Sequence, residues 1–296
     1  MDGIINIFKP KGMTSHDVVN IMRRILEIRK VGHTGTLDPN ATGVLPLCIG
    51  KATRTSEYLL DVDKEYIGEL SLGLATDTQD GEGKIINYST KLVKEDDIYK
   101  AFDRFQGEIE QLPPMYSALK HNGKKLYELA REGKIVNRKP RNIYIYKLKI
   151  IDIIDNKKVL FYVKCSRGTY IRTLCNDIGE LLGTYGYMSY LIRVGVGNFK
   201  IADSYSIDYI KILDKEGIKS IVCPMDQGLS HINSLTVEEK YFVSLTNGAT
   251  IPLTEENFKK YGNSILKIYC NNIFVGIGKV IKKDNMPYIK MDKVLV

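Results

Sequence analysis

Two runs in the middle of the chain constrain its fold most. "RNIYIYKLKIIDI" (141–153) and "KVLFYVKC" (158–165) are β-branched and aromatic, and a short turn around Asp155 and Asn156 separates them. Runs this close together can pair only as an antiparallel hairpin, because a parallel return needs a crossover of about a dozen residues or more. The flanking segments add strands and helices to that hairpin. "GIINIFKPKG" reads as a strand stopped by Pro10 and Gly12. Thr14 or Ser15 then caps a helix whose apolar positions, Val18, Ile21, Met22, Ile25 and Ile28, follow helical spacing. "KEYIGELSLGLATDTQDGEG" alternates as a strand and ends in an acidic turn. "KEDDIYKAFDRFQG" reads as a helix closed by Gly107, and "SRGTYIRTLCNDIGELLG" as a helix running to Gly183.

The fold class expected from this order is α+β, with a mixed, largely antiparallel sheet flanked by helices and loops. At 296 residues the chain exceeds one typical core, so two domains are expected. Short strands and turns dominate after about residue 230. The expected division is therefore a larger mixed domain over 1–230 and a small, mostly-β domain over 231–296.

Charge narrows the partners. Lys and Arg outnumber Asp and Glu, 43 to 35, for a net charge of +8, which favours a polyanion. Most of the excess falls in residues 115–141, where eight Lys and Arg face Glu128 and Glu132, with Tyr116 and Tyr127 interleaved. That is the pattern of a basic arm that follows a phosphate backbone and offers ring faces to bases; the alternative is a solvated helical face. The five cysteines form no C-x-x-C pair and the four histidines are scattered, so neither a disulfide framework nor a metal site is expected. "MDGIINIFKPKG" lacks a signal-peptide pattern and no long apolar run follows, so the expected location is the cytoplasm, with no membrane partner. "LPLCIGKA" fails the phosphate-loop pattern at its first glycine and again after Lys51, so no nucleotide cofactor is expected.

The chemistry concentrates in "GHTGTLDPNATG" (32–43), where small residues surround one carboxylate, Asp38. Asp-Pro alone reads as a turn, and the glycines say only that backbone passes close to something. The longer stretch "VGHTGTLDPNATGVLPLCIGKATR" resembles the motif of bacterial tRNA pseudouridine synthases that act on uridine 55 of the TΨC loop. "INIFKPKGMTSHDVV", "DKEYIGELSLGLATDTQDGEG", "GEIEQLPPMYSALKHNGKKLYELAREG", "CSRGTYIRTLCNDIGELLG" and "YLIRVGVGNF" match the same family in the same order. The likeness is dense over residues 1 to about 200. Beyond it, the chain is similar in outline to the small PUA-like RNA-binding domain of that family.

The resemblance implies a cofactor-free isomerase that flips uridine 55 from the T-arm of tRNA. It implies that Asp38 is the catalytic carboxylate, with Arg172 as its ion-pair partner, and that Tyr66 is the stacking tyrosine. It further implies that Tyr170 and Leu191 line the base pocket, that His33 braces the RNA, and that Lys9 makes a weak RNA contact. An aspartate is ionised at neutral pH, and a nearby Arg is expected to lower its pKa further, so Asp38 serves as nucleophile or base. Attack on C1′, attack on the base and removal of a sugar proton all remain open to it. The small residues of the loop are expected to let folded RNA approach. A monomer working without guide RNA or protein partner is the expected form. Three other readings stand beside this one: an RNA-binding or chaperone protein on a retired scaffold, a guide-dependent relative, and a hydrolase with an aspartate nucleophile.

Overall fold

The computed structural model describes residues 1–284 and 286–296. Its centre is a ten-stranded mixed sheet. Along the main path the order is Tyr205–Ser206, Gly3–Lys9, Thr42–Ile49, Gly186–Val196, Lys64–Leu72, Lys158–Cys165, Arg141–Ile154 and Gly107–Gln111. Within this path Gly3–Lys9 with Tyr205–Ser206 and Thr42–Ile49 with Gly186–Val196 run parallel, and the other pairs are antiparallel. The hairpin at 141–165 forms as expected, with Ile145 opposite Cys165 and Ile154 opposite Lys158. Along its second strand, Val159, Phe161, Val163 and Cys165 are buried in alternation, which places one face of the sheet on the core.

The first helix, Ser15–Leu26, begins at Thr14, whose side chain accepts from the Asp17 amide while Asp17 reaches back to the Thr14 amide. It stops two residues before Ile28 because Glu27 turns left-handed at φ 56°. The helix Glu95–Asp103 also ends early, and Gly107 opens a strand instead of closing the helix. The 115–141 segment folds as a two-residue hairpin, Lys120–His121 with Lys124–Lys125, followed by the short helix Leu126–Arg131.

A second, five-stranded sheet is built from Ser234–Val237, Ile265–Cys270, Ile273–Lys283, Met286–Val294 and Ile251–Pro252. It has its own core around Leu245, Leu266, Ile268, Val275 and Ile289. It is also fused to the first body. Ile277 packs in one cluster with Ile4, Val44, Cys48 and Phe199, the Tyr58 hydroxyl donates to Asp292, and Lys293 pairs with Glu57 at 2.9 Å. Among the described residues no helix is long and apolar enough to cross a membrane.

Candidate active site

Asp38 sits in the loop joining Val31–His33 to Thr42–Ile49, and that loop is pinned on both sides of it. Before Asp38, the Leu37 amide donates to Ser15 Oγ at 2.8 Å, and the Ser15 hydroxyl donates to the Leu37 carbonyl at 3.2 Å. After it, the Pro39 carbonyl accepts from the Gly12 amide and from Lys9 Nζ, each at 2.9 Å. Leu37 and Ala41 are buried in the main core beside Leu191, with Tyr66 packed against the same cluster. The loop is therefore a fixed cradle despite its small residues.

Arg172 meets Asp38 from behind. It stands in the first turn of helix Ile171–Leu181, whose N-cap, Tyr170, is clamped by Gln111: the Tyr170 amide donates to Oε1 at 2.8 Å, and Nε2 donates to the Tyr170 carbonyl at 3.0 Å. The guanidinium grips Asp38 through both oxygens, Nε to Oδ2 at 3.0 Å and Nη2 to Oδ1 at 3.3 Å. Nη1 reaches Asp80 Oδ2 at 3.4 Å and the Thr78 carbonyl at 3.1 Å, while Nη2 also donates to the Tyr116 carbonyl at 2.8 Å. The Arg172 side chain is 7% exposed and that of Asp38 39%, so of this pair the carboxylate alone reaches the surface.

The ion pair does not depress Asp38 as the sequence suggests. Burial pushes its pKa up, the Asp80 carboxylate adds to that, and the Arg172, Lys9 and Arg193 charges offset only part of it. A carboxylate held above its ordinary range is a stronger nucleophile and base than a free one once it is ionised.

Tyr66 lies on the Lys64–Leu72 strand opposite Arg193 and Val163, with its hydroxyl against the Arg193 guanidinium. Burial pushes its pKa up to about 12, so it is a neutral phenol at physiological pH. Leu191 is buried opposite Gly68 on the neighbouring strand. Tyr170 is half-buried, its hydroxyl beside Ser117. His33 ends the Val31–His33 strand, where its Nδ1 accepts from the Gly35 amide at 3.3 Å; burial and the Arg193 charge lower its pKa and favour the neutral ring. Asp38, Arg172, Tyr66 and Leu191 thus share one wall of the core, with Tyr170 at the cap of the helix carrying Arg172, while His33 is placed by the loop's own turn.

Lys9 is a correction. Its side chain has no accessible surface, and its ammonium donates to the carbonyls of Pro10, Met13 and Pro39 at 2.9, 2.6 and 2.9 Å. All three donors are spent inside the protein, so Lys9 ties the Asp38 loop to the first strand and is not an RNA contact. Burial lowers its pKa to about 8. We expect Lys9→Met to strand those carbonyls and cost about 2–3 kcal/mol of stability in urea melts, with turnover falling through the loosened Pro39. Unchanged stability would contradict the tie.

Asp80, which lies in a matching segment with its role left open, and Arg193, to which the sequence assigns none, both stand at this site. Asp80 is fixed by the Thr78 hydroxyl at 2.6 Å and the Glu82 amide at 3.1 Å, in the acidic turn that ends its segment. Among the described residues no cluster of three or more His, Cys, Asp or Glu is placed to hold a metal.

The comparisons with known proteins cover the whole chain. Residues 23–171 match the family described as TruB family pseudouridylate synthase (N terminal domain), and residues 172–230 match the tRNA pseudouridylate synthase B C-terminal domain. A tRNA pseudouridine synthase B of Alkaliphilus oremlandii is 46% identical over 100% of this chain and 99% of its own length. One from Clostridium kluyveri is 48% identical over 94% of this chain and 95% of its own. Among solved structures, a chain of a Cbf5-Nop10-Gar1 complex superposes with a TM-score of 0.77 at 29% identity, covering 99% of this chain and 85% of that one. A chain of an H/ACA RNP bound to a substrate RNA containing 2′-deoxyuridine gives 0.74 at 25% identity, with coverage of 99% and 85%.

Proposed function

Because the chain belongs to the TruB family of pseudouridylate synthases, we propose that the site around Asp38 converts uridine 55 in the TΨC loop of tRNA to pseudouridine. The observation that carries this reading is the Asp38–Arg172 pair: an accessible carboxylate, fixed through both oxygens by a buried guanidinium, at the edge of an apolar wall formed by Tyr66, Leu37 and Leu191.

The reaction breaks the N1–C1′ bond, turns the freed uracil and forms a C5–C1′ bond. The proton leaves C5 and N1 gains one, so the product is an isomer and no oxidant or reductant is consumed. Whether Asp38 attacks C1′, attacks the base or takes a sugar proton, it must be ionised and must not rotate away, and Arg172 holds it. Flipping the uridine costs a few kcal/mol, and stacking on Tyr66 returns about 1–3 kcal/mol. Leu191 and the buried side of Tyr66 keep water from the detached base.

The 115–141 segment supplies the electrostatic grip on the T-arm. Tyr127 is flanked by Lys125 Nζ and the Arg131 guanidinium at 5.4 and 5.5 Å from its ring centre, a charged ring face suited to a nucleotide. Neutralising Lys124, Lys125 and Arg131 together should flatten the dependence of log Kd on log salt by about 2–3, at about 0.7–0.9 per phosphate contact. An unchanged slope would make the segment a bystander. Residues 231–296 form a PUA-like RNA-binding domain in this reading, and the chain acts as a monomer without guide RNA, in the cytoplasm.

Mapping pseudouridine in a bare T-arm stem-loop incubated with the purified chain tests this function. Conversion at position 55 is the expected result. Conversion only when a guide RNA is added, or RNA binding with no conversion, would place the chain with guide-dependent or non-catalytic relatives.

A further inference from the structure

Among the described residues Arg193 is the largest fully buried side chain, at 1% exposure, and it bears a charge. Among the described residues no carboxylate comes within 4 Å of it, so its donors go to neutral oxygens. Nε donates to the Val44 carbonyl at 2.7 Å, Nη2 to Gly35 at 3.2 Å and Nη1 to Thr36 at 3.4 Å. Gly35 and Thr36 precede Asp38 and Val44 follows it, so one guanidinium holds both limbs of the catalytic loop.

The backbone places the same residue between the two halves of the site. Arg193 is opposite Gly43 in the parallel pairing of Gly186–Val196 with Thr42–Ile49, and opposite Tyr66 in the antiparallel pairing with Lys64–Leu72. Gly43, Arg193 and Tyr66 are therefore in line across three adjacent strands. The approach on the loop side is possible only for glycine: Gly43 has φ +105°, and a Cβ there would lie 2.2 Å from the Arg193 carbonyl oxygen. On the other side the guanidinium meets the Tyr66 hydroxyl. A buried guanidinium without a paired anion carries a desolvation penalty that packing with apolar residues would avoid, and folds retain such costs chiefly at functional sites.

We propose that Arg193 is a positioning residue for the reaction, a fork that sets the Asp38 loop and the Tyr66 ring at a fixed distance from each other. Carboxylate and stacking platform are then assembled before RNA arrives, and the flipped uracil enters a gap of set width. Arg193 acts through these two groups and touches no reacting atom. Its planar donors are what matter, since a Lys at 193 would keep the charge but could not span Gly35, Thr36 and Val44 together.

This inference rests on the synthase reading above, and its test separates the two. In single-turnover assays on tRNA, wild-type protein that forms no pseudouridine defeats the synthase reading. If the wild type is active, Arg193→Lys should lose about 10²-fold in rate, the scale of a misplacement near 1 Å, with tRNA affinity within about threefold. Arg193→Met should lose at least as much. Should the Met variant not fold, Arg193→Lys decides, with its urea melt run on the same sample. Tyr66→Phe added to Arg193→Lys should cost less than it costs in the wild type, because the hydroxyl's anchor is already gone. Arg193→Lys turnover within twofold of wild type, or fully additive losses in the double variant, would overturn the proposal, as would a rate loss tracking only the unfolded fraction.

Discussion

Asp38→Asn is expected to lower single-turnover pseudouridine formation by about 10⁴-fold or more, while tRNA affinity stays level or rises. The amide keeps the shape of the carboxylate and can still accept one bond from Arg172, whose Nη1 also retains Asp80. It can neither attack as an anion nor take a proton. The affinity prediction follows from the charges within the site. Lys9, Arg172 and Arg193 stand against Asp38 and Asp80, and the other four all act on Asp38. Removing one negative charge leaves that group more positive, which does not repel a phosphate backbone. Stability at neutral pH should stay level or rise slightly, because a carboxyl whose pKa the fold raises costs stability when ionised, and the amide carries no charge. Tritium release from C5-labelled tRNA reads the chemistry, and filter binding reads the affinity. Appreciable product from the variant would remove Asp38 from the centre of the mechanism.

Arg172→Met is expected to do more damage to the fold and nearly as much to the reaction. The side chain is buried, and its loss leaves the Asp38 and Asp80 carboxylates without their shared cation and the Thr78 and Tyr116 carbonyls without a donor. Breaking such a pair from one side costs about 3–5 kcal/mol. Turnover should fall by about 10³-fold, from lost orientation of the carboxylate. A pH signature separates this role from simple destabilisation. Burial and Asp80 raise the Asp38 pKa, and Arg172 opposes them. Without Arg172 the pKa rises further, so the acid limb of the kcat/KM profile should move to higher pH, and alkaline buffer should recover part of the rate. Arg172→Lys, which keeps the charge, should show a smaller shift. An acid limb that stays put in both variants would mean that Arg172 does not act on Asp38 electrostatically.

The parts of the site legible in the sequence are those written in short contiguous signals. The hairpin at 141–165 follows from two β runs and a turn. The first helix follows from Thr14 and its apolar spacing. Asp38, Tyr66 and Arg172 can be named because each lies in its own matched motif. What the sequence hides depends on contacts between distant parts of the chain. Lys9 in "FKPKG" has the look of a surface cation, and its burial is decided by the Pro39 carbonyl 30 residues on. Arg193 sits in a strand run that gives no hint of a charge turned inward; the oxygens it binds lie 149, 157 and 158 residues upstream. The glycines of the loop suggest room for RNA, and Gly43 proves to be room for the Arg193 backbone. The direction of the Asp38 pKa escapes the sequence for a related reason: a motif names the neighbouring cation but carries no measure of how much water burial removes.

The second sheet has a consequence for how the protein can be cut. Ile277 shares a cluster with Ile4, Val44 and Cys48, and Val44 is also the residue whose carbonyl accepts from Arg193. A chain ending near residue 230 would therefore bare the back of the strand that leads out of the Asp38 loop. Removing the cover that one buried side chain of this size provides costs about 1.5–3 kcal/mol. The same cut would also strip Tyr58 of its Asp292 acceptor and Glu57 of its Lys293 partner. A truncated protein would be a leaking vessel rather than a minimal enzyme. Its lost activity would report a strand set loose, and the RNA-binding role of the C-terminal sheet is better sought by surface substitutions in the intact chain.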